Sequence, residues 1–434
     1  MSDTEFETEF ETDDHRRLRE QVREFALGEV APRIAHMQAH PADVDTHLGA
    51  LIAQNGWIGA TIPTRYGGMG AGHLAKTLII EELSRVSGAA GMIAQASQLG
   101  VAKILHFGSP EQQQTWLPLI AAGECLPTIA VTEPESGGHV LGMRATARRD
   151  GHDWVLNGRK VYIGNSHIGH LHGVVTRTDD TTPDPRRDDA SALSAFLVEA
   201  DRPGVHLEPH QPATGVHGFS FGDLVLREVR VPAANMIGRP GDGLAVAYSS
   251  SILYGRPNLT AVALGLHQAI TELTLRFAQT RRRYGAPLAD LPTIQHKIGQ
   301  LHHRLMTARH LAYQAVHRLD HLHHHPLQDG RPRPCDDELI NAKYWGVQAV
   351  QDAARTAMSI HGAAGLRTHY PLERLVRDTW HLDAPAGTSD IQLHRLAQTA
   401  LGGTGHPAWS QRLAHLITPP APEPEPEPEP ERAA

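Results

Sequence analysis

The feature that most restricts the fold of this 434-residue chain is a hydrophobic period that changes twice. Between residues 128 and 237 the sequence consists of short β-branched runs, such as DWVLNGRKVYIG (153–164) and DLVLREVRVP (223–232). Runs of this kind, split by Gly, Asn and Asp, are typical of a small antiparallel barrel or sandwich. On both sides of this region the apolar residues recur at helical spacing. We therefore predict a helical domain, a β domain and a second helical domain, in that order.

The predicted domain boundaries follow this change of period. Long helical stretches with short links after the β region indicate a four-helix bundle, and Pro257 should kink or restart its first helix. Both chain ends are acidic and have no means of burial, so we expect them to be disordered. The predicted α+β chain comprises an acidic N-terminus (1–13), an N-terminal helical domain (14–127), a middle β-barrel or sandwich domain (128–237), a C-terminal helical bundle (238–403) and a Pro/Glu-rich tail (404–434).

The composition excludes several classes of protein. An excess of 48 acidic over 40 basic residues argues against nucleic acid as a partner, because nucleic acid binds basic surfaces. No apolar run approaches the length of a transmembrane helix, so no membrane association is predicted. The two cysteines, Cys125 and Cys335, are too few for a disulfide framework and fit a reducing compartment. We therefore predict a soluble, cytoplasmic protein.

Thirty histidines raise the question of a metal site. The densest run extends from His321 to His325 and ends at Pro326, and a second pair is His302-His303. Neither spacing brings four ligands to one point, as a structural zinc site requires. A solvated histidine-rich face, or a partner for the negative end of a helix dipole, explains the run better. We predict no metal site.

The stretch HLDAPAGTSDIQLHRLAQTALGG (381–403) contains a small-residue loop followed by a helix. Ser389 with Gln392 three positions later predicts a capping box at the start of that helix. A loop of small residues that leads into a helix N-terminus suits close approach of a planar or anionic ligand. We therefore predict that the loop from Asp383 to Gly387 faces a ligand.

Six stretches, in this order, resemble the acyl-CoA dehydrogenase family over roughly residues 15 to 403. They are IPTRYGGMGAGHLAKTLIIEELSRVSG (62–88), FGSPEQQQTWLPLIAAGE (107–124), AVTEPESGG (130–138), NGRKVYIGNS (157–166), TRRRYGAPLADLPTIQHKIGQL (280–301) and IHGAAGLRTHYPLERLVRDTWHLDAPAGTSDIQ (360–392). The resemblance implies an oxidoreductase that acts on a CH–CH group of an acyl thioester and binds FAD. It also implies a homodimer or homotetramer, with the cofactor partly across a subunit interface.

The same resemblance implies which residues bind the flavin. Val131 and Thr132 match positions at the isoalloxazine edge, and Tyr162 matches the aromatic residue on the ring face. Arg281 matches an arginine that binds the pyrophosphate, where a fork of donors suits phosphate oxygens. Gly137 and Gly138 match a signature glycine pair, and Gly164 stands where a threonine near the flavin N5 is usual. Tyr284 matches an aromatic position near the adenosine. Gly362 matches a loop that reaches the neighbouring subunit's FAD, and Thr388 matches a hydroxyl at a helix start.

The usual catalytic base of the family is missing. In relatives a glutamate removes the α-proton of the substrate while a hydride leaves the β-carbon for the flavin. It stands immediately before the Gly-Thr pair that is Gly387-Thr388 here, where this chain has Ala386. Other relatives place the glutamate before an arginine that matches Arg256, and the residue at that position is Gly255. General-base catalysis at carbon needs a carboxylate within hydrogen-bond reach, and neither position supplies one.

Three side chains could act as a non-standard base. Asp383 lies three residues before Ala386, and Tyr254 is next to Gly255. Each has a structural alternative, as a surface charge at a helix end and as a packed aromatic residue, respectively. His139, with the glycine before it, replaces a Ser/Thr-Asp pair that touches both flavin and thioester in relatives. The resemblance thus implies that His139, Arg256 and Ala386 contact the substrate.

Three functions remain open at this point. The first is an FAD oxidoreductase for an acyl-CoA or a carrier-protein-bound acyl group, possibly biosynthetic, that passes electrons to a flavoprotein or O₂. The second is a flavin-dependent monooxygenase on the same fold, which needs no base for an α-proton. The third is a non-catalytic subunit that pairs with an active homologue. The segments Gln95–Leu99 and Tyr248–Tyr254 should set the depth of the substrate pocket, but they do not identify the acyl group.

Overall fold

The computed structural model describes residues 9–178, 190–324, 326–403 and 408–414. Helices make up the N-terminal region. The two longest, residues 72–86 and 88–107, pack against the later bundle. Their bounds are α1 Asp13–Phe25, α2 Ile34–Ala39, α3 Thr46–Gln54, α4 Gly72–Val86, α5 Gly88–Phe107 and α6 Pro110–Ala121. Helix α5 escapes sequence periodicity because nearly all of its residues are buried, so it has no polar face.

The middle region contains eight strands, and the β-branched runs 153–164 and 223–232 belong to the two longest of them. The strands are β1 Pro127–Ala130, β2 Thr146–Asp150, β3 Asp153–Gly164, β4 Leu171–Arg177, β5 Leu193–Glu199, β6 Val205–Leu207, β7 Phe221–Pro232 and β8 Met236–Ile237. They form one sheet in the order β6-β7-β3-β2-β4-β5-β8, with β1 paired to β4. Most pairings are antiparallel as predicted, but β1–β4 and β2–β4 are parallel, so the sheet is mixed.

After the sheet the chain is helical again, apart from one small hairpin. The elements are α7 Gly243–Ser249, a π-helix Ser250–Gly255, α8 Arg256–Thr280, β9 Arg282–Arg283, β10 Ala286–Pro287, α9 Pro292–Asp320, α10 Asp336–His361, α11 Pro371–Trp380, α12 Ser389–Ala400 and α13 Trp409–Arg412. Pro257 lies in the first turn of α8, so the helix restarts there as predicted, because a first-turn proline loses no intrahelical bond.

Buried polar contacts fix the N-terminal helices to the bundle. Glu81 of α4 accepts hydrogen bonds from Arg309 Nη2 at 2.7 Å and from the Tyr313 hydroxyl at 2.6 Å, both on α9. Arg19 of α1 reaches the same Tyr313 hydroxyl at 2.5 Å. The sheet is held equally closely, because a Cβ on Gly100 of α5 would lie 2.4 Å from the carbonyl carbon of Pro127 in β1. The N-terminal helices are therefore packed closely against both the bundle and the sheet.

The expected disorder of the chain ends does not hold for every residue. Residues 1–8, 404–407 and 415–434 lie outside the described residues. Phe10, however, packs on the rings of His310 and His317, with centroids 5.8 and 5.3 Å away. At the other end, the ring of Trp409 stacks on Tyr248 with centroids 5.0 Å apart. Phe10 and Trp409 are packed because aromatic side chains bury a large apolar area, even within an acidic sequence.

Candidate active site

The loop before α12 is fixed by two side chains of the bundle. Lys343 of α10 is fully buried, and its ammonium donates to the carbonyl oxygens of Asp383 and Gly387, at 2.7 Å each. Gln392 of α12 donates to the carbonyl oxygens of Ala386 at 3.0 Å and Gly387 at 2.8 Å. Burial lowers the pKa of Lys343 to about 8. The predicted ligand-facing loop is therefore a rigid part of the structure.

The predicted capping box at the start of α12 is wrong. Thr388 is the N-cap, and its hydroxyl accepts a hydrogen bond from the backbone N–H of Ile391 at 3.4 Å. Ser389 is the first helical residue, and its hydroxyl donates to the carboxylate of Asp383. The Gln392 side-chain nitrogen donates to the loop carbonyls, and its Oε1, which a capping box would use as acceptor, has no hydrogen-bond partner among the described residues. The helix starts where predicted, but a different residue caps it.

The sequence comparison placed the base of some relatives at position 386 and that of others at position 255. These two positions are close together in the structure. Gly255 is the last residue of the π-helix, and Ala386 is in the loop before α12. A Cβ built on Gly255 would lie 3.0 Å from the Cβ of Ala386 and 3.4 Å from Leu99 Cδ2. An acid at either position would therefore enter the same space. This chain has no carboxylate at either one.

Two of the three weaker candidates for the base, Tyr254 and Asp383, have hydrogen-bond partners of their own. Tyr254 is fully buried, and its hydroxyl lies 3.2 Å from Thr61 Oγ1 and 3.3 Å from His106 Nε2. Burial raises the pKa of Tyr254 above its ordinary value, which makes its phenolate less accessible. The carboxylate of Asp383 accepts the hydrogen bond from Ser389 described above. His139 is exposed on its loop.

Arg256 follows Gly255 at the start of α8 and is a buried cation. Only 4% of its surface is exposed, and its Nε has no hydrogen-bond partner. Within the described part of the chain, no carboxylate lies within ion-pair distance of its guanidinium. Burial lowers the pKa of Arg256 to about 10. The arginine that the resemblance assigns to the substrate is thus present without an anion.

Tyr162 and His381 pack on the ring of Phe221 in the sheet. Tyr162 of β3 is 62% exposed, and its ring stacks on Phe221 at a centroid distance of 5.4 Å. The ring of His381 in turn packs edge-on against Phe221 at 4.8 Å. A Cβ on Gly164 would lie 2.9 Å from the Cβ of Ala96. The threonine of relatives therefore has no room at position 164 unless α5 moves.

A buried ion pair fixes the backbone at Val131 and Thr132. The ammonium of Lys160 lies 2.7 Å from Glu133 Oε1 and donates to the carbonyl oxygen of Val131 at 3.0 Å. The carbonyl oxygen of Thr132 accepts from the N–H of Val161 at 2.9 Å. Burial lowers the pKa of Lys160 to about 8, although the Glu133 carboxylate opposes the shift. The edge at which the resemblance places the isoalloxazine is therefore preorganised.

The glycine pair Gly137-Gly138 lies beside this edge and is exposed. No atom lies within 4 Å of a Cβ built on either glycine. The hydroxyl of Ser136, before the pair, donates to the carbonyl oxygen of His139 at 2.7 Å, which turns the loop. The pair thus leaves open space next to the predicted flavin edge.

The predicted pyrophosphate and adenosine residues lie on exposed segments. Arg281 follows α8, and Tyr284, at the tip of the β9–β10 hairpin, is 93% exposed. Gly362 begins a short 3₁₀ helix that ends at Leu366, which is 71% exposed. In the described ranges no hydrogen bond links Arg281, Tyr284 or Gly362 to Thr388. The two segments that carry Arg281, Tyr284 and Gly362 are therefore open to solvent in the single chain.

Backbone strain is concentrated at the predicted site. Six non-glycine residues have positive φ angles within the described ranges, and three of them are Tyr162 at 60°, Tyr284 at 54° and Ala386 at 54°. A left-handed conformation costs a residue with a Cβ about 1–2 kcal/mol. Such strain persists where the surrounding structure enforces it, and it occurs often at ligand sites.

The histidine run on α9 and after it forms no metal-capable group among the residues described, although His325 lies outside them. One group of three possible ligands was not foreseen. His36, His40 and Asp43 have ligand atoms within 4.8 Å of one another, and all three side chains are exposed. His36 Nε2 lies 3.7 Å from a carboxylate oxygen of Asp43, and the His40 ring contacts the carbonyl oxygen of His36 at 3.1 Å.

Sequence reasoning missed the residues that hold the site together. Lys343, Gln392 and Lys160 act through backbone carbonyls, so no motif announces them. A lysine on the apolar face of a helix is the one available signal, because a buried ammonium requires acceptors. Phe221 and His381 are also aromatic neighbours of Tyr162 that only strand register and helix packing bring close.

Comparison with known proteins identifies the family. Models of the N-terminal, middle and C-terminal domains of acyl-CoA dehydrogenase match residues 12–124, 128–229 and 241–401. An acyl-CoA dehydrogenase of Bacillus subtilis (strain 168) is 33% identical over 388 residues, which cover 89% of this chain and 98% of the relative. The chain belongs to the acyl-CoA dehydrogenase family, whose members are oxidoreductases that act on CH–CH bonds.

Two solved structures extend the comparison. An acyl-CoA dehydrogenase from Bacillus anthracis in complex with FAD is 27% identical, with a TM-score of 0.80 over 90% of this chain and 68% of that one. The prolyl acyl carrier protein oxidase AnaB is 25% identical, with a TM-score of 0.81 over 90% of this chain and 100% of that one. In the described part of this chain, no helix is long and apolar enough to cross a membrane.

Proposed function

We propose that the protein is an FAD-dependent oxidoreductase that acts on an acyl thioester and has lost the usual catalytic base. One observation carries this proposal most directly. A Cβ on Gly255 would lie 3.0 Å from the Cβ of Ala386, and Lys343 fixes the loop that carries Ala386, so the frame of the site is kept without an acid at either position. If the chain had lost the ligand site, it would not need a buried lysine to hold this loop in place.

The residues present fit a flavin. The exposed ring of Tyr162, with its strained backbone, offers a flat apolar surface beside the preorganised carbonyls of Val131 and Thr132. Open space at Gly137-Gly138 and the helix start at Thr388 complete the part supplied by one chain. Bound FAD would supply a two-electron acceptor for a hydride from the β-carbon of the acyl group.

A second chain would supply the rest of the cofactor site. Arg281, Tyr284 and Gly362 lie on exposed segments, and Leu366 adds a large exposed apolar side chain. Exposed aromatic and aliphatic side chains of this kind are typical of protein interfaces. We propose a homodimer or homotetramer in which these residues reach the FAD of the neighbouring subunit.

The thioester carrier and the electron acceptor are part of the same proposal. Similarity to a prolyl acyl carrier protein oxidase supports a carrier-protein-bound acyl group in a biosynthetic reaction, with an acyl-CoA as the alternative. A cytoplasmic location would allow either carrier. Electrons would pass to a flavoprotein or to O₂.

A flavin-dependent monooxygenase is the second candidate, and one observation favours it. Neither of the adjacent positions 386 and 255 carries an acid, and a monooxygenase needs no base for an α-proton. The exposed Arg281 supports a tightly held dinucleotide in preference to loosely bound flavin mononucleotide.

The test is spectroscopic. The purified protein, reconstituted with FAD, is mixed anaerobically with saturated acyl-CoA or acyl carrier protein thioesters, and the flavin absorbance is followed. Bleaching that yields an unsaturated thioester supports the proposal. Failure of any thioester to bind or reduce the flavin contradicts it, and hydroxylated product from reduced flavin and O₂ assigns the protein to the monooxygenases.

A further inference from the structure

Three exposed side chains that can bind a metal lie together at the end of α2. His36 and His40 are four residues apart, and Asp43 follows three residues later, in the stretch HMQAHPAD (36–43). Their ligand atoms all lie within 4.8 Å of one another. The histidine runs at 302–303 and 321–325, on which the sequence prediction of no metal site was based, contribute none of them. The group is therefore a separate candidate for metal binding.

The backbone holds the three residues close to one another. The N–H of His40 donates to the carbonyl oxygen of His36 at 3.0 Å, in the last turn of α2. The N–H of Asp43 donates to the carbonyl oxygen of His40 at 3.0 Å. Pro41 is the second residue of this turn, where its fixed φ angle is favourable. The three side chains therefore project from two consecutive hydrogen-bonded turns.

The distances between the side chains are close to those that a metal ion requires. His36 Nε2 lies 3.7 Å from Asp43 Oδ2, and the centroids of the two imidazole rings are 4.3 Å apart. Two ligand atoms at ordinary zinc distances lie about 3.4 Å apart in a tetrahedral site. Because the three side chains are exposed, rotation about their χ angles can close the remaining difference.

The ring of His40 makes a contact that is common among metal-binding histidines. Its Nδ1 lies 3.1 Å from the carbonyl oxygen of His36, and a carbonyl oxygen can only accept a hydrogen bond. The proton is therefore on Nδ1, and Nε2 carries the lone pair that binds a metal. Metal-bound histidines usually donate their other N–H in this way, which fixes the tautomer and orients the ring.

The turn that carries Asp43 also contacts the middle β region. The ring of His210 contacts the carbonyl oxygen of Ala42 at 3.0 Å. The N–H of Asp45 donates to the carbonyl oxygen of Gly218 at 2.9 Å. An ion bound by both α2 and this turn would therefore connect the helix to the β region.

We propose that His36, His40 and Asp43 bind a divalent ion of a late transition metal such as zinc. Two imidazole nitrogens and one carboxylate oxygen suit zinc and its neighbours, whereas magnesium and calcium prefer oxygen ligands alone. Three protein ligands leave at least one position of the ion for water. The bound ion ties the C-terminal end of α2 to the turn that contacts the β region.

Zinc binding by the folded protein tests the proposal. The full chain is prepared without a histidine tag, freed of metal with a chelator and titrated with zinc chloride by calorimetry. His36→Gln, His40→Gln and Asp43→Asn should each weaken the tightest site at least about tenfold, since even residues that only orient a metal ligand contribute 10- to 100-fold. Equal zinc affinity in the wild-type protein and the three variants would overturn the proposal.

Two controls test whether the binding is specific. His303→Gln changes an exposed histidine of the shorter run and should leave the tightest zinc site unchanged. Magnesium chloride at the same concentration should not displace zinc, because magnesium requires oxygen ligands. An equal loss of affinity in His303→Gln, or displacement of zinc by magnesium, would mean general attraction of cations to the surface and contradict the proposal.

Chemical labelling locates the ion in the unaltered protein. Diethyl pyrocarbonate acylates the imidazole nitrogen that carries the lone pair, and peptide mass spectrometry measures the label at each histidine. Saturating zinc should lower the labelling of His36 and His40 severalfold, while the exposed His47 should be labelled as before. Unchanged labelling of His36 and His40, or equal protection of His47, would refute the site.

Thermal unfolding without metal separates metal binding from a structural role. The three side chains are exposed, so their substitution should change the melting temperature of the metal-free protein by no more than about 2 °C. If zinc binding is lost only in variants that unfold far below the wild-type protein, the three residues have a structural role and the proposal is wrong.

Discussion

The loop around Ala386 and the hairpin around Tyr284 differ in how they are held in place and in the side chains that they carry. The loop is fixed by Lys343 and Gln392 through four backbone hydrogen bonds, yet its central side chain is a methyl group. The hairpin carries a guanidinium and an aromatic ring at predicted cofactor positions, yet Tyr284 is 93% exposed. The loop on the substrate side is held in place but carries no reactive side chain. The hairpin on the cofactor side carries side chains that can bind a cofactor, but these side chains are not packed against the rest of the chain.

This difference indicates what each region lacks. The loop is complete as a structure within one chain, so only chemistry is missing, and one substitution or a ligand can supply it. The two strands of the hairpin pair with each other, but Tyr284 at its tip is exposed, so we expect a second subunit and a bound cofactor to supply its contacts. Substitutions in the two regions should therefore change different quantities: reaction rate on the substrate side, and affinity or assembly on the cofactor side.

The largest effect is expected from Ala386→Glu. The existing alanine already bears the cost of the left-handed backbone, so glutamate adds no new backbone strain. A general base contributes about 10²–10⁴-fold, so desaturation of a simple acyl-CoA should rise by that order. Rapid mixing with FAD-loaded protein measures the rate of flavin reduction.

Ala384→Glu, at an exposed position of the same loop, is the control and should leave the rate unchanged. If Ala386→Glu retains FAD, binds acyl-CoA and gains no rate, the vacated-base hypothesis is wrong. A wild-type protein that already reacts at a comparable rate must use another base, which Asp383→Asn and Tyr254→Phe would identify.

Next in size is the loss of FAD affinity in Arg281→Ala. A hydrogen bond to a charged group contributes about 1.5–3 kcal/mol, so the dissociation constant should rise roughly 10- to 150-fold. Arg283→Ala alters a second exposed arginine of the same hairpin and should have little effect. Flavin fluorescence titration of the apoprotein gives the constants. Unchanged FAD binding by Arg281→Ala, or a protein that takes up no FAD, would refute the assigned role.

A smaller effect is expected on assembly. The wild-type protein should sediment as a dimer or tetramer, with the segment from Ile360 to Leu366 in contact with a neighbouring subunit. Leu366→Asp should weaken the assembly by about 1–2 kcal/mol, because the side chain would lose its burial. Leu27→Asp, at another exposed leucine, is the comparison variant. A wild-type monomer at micromolar concentration would exclude a shared cofactor site.

An effect of comparable size concerns acid stability at His381, beside Phe221. Burial lowers the pKa of His381 to about 4, so the folded protein keeps this ring neutral while the unfolded chain protonates it near pH 6.5. Stability should therefore fall between pH 6.5 and 4, by up to about 1.4 kcal/mol per pH unit. His381→Phe should remove the contribution of one proton to the pH dependence of the unfolding free energy. The exposed His47→Gln should leave that pH dependence unchanged. Urea unfolding at pH 7, 6 and 5 decides between them.

The sequence by itself determined the fold class and the family. A change of hydrophobic period depends only on which residues are apolar, so the order of helical, β and helical regions was readable along the chain. The start of the final helix was readable for the same reason, although Thr388 and not Ser389 caps it. The absence of a base at positions 386 and 255 was equally a matter of reading residues.

Only the tertiary structure decided how these absences relate. Gly255 and Ala386 are far apart in sequence, and helix packing alone brings their Cβ directions together. Lys343 holds the loop through carbonyl oxygens, which every residue carries and no motif can mark. Arg256 can be read as a charge from the sequence, but its lack of a partner is a property of its surroundings. Chemical identity is local, whereas burial and pairing depend on contacts between distant segments.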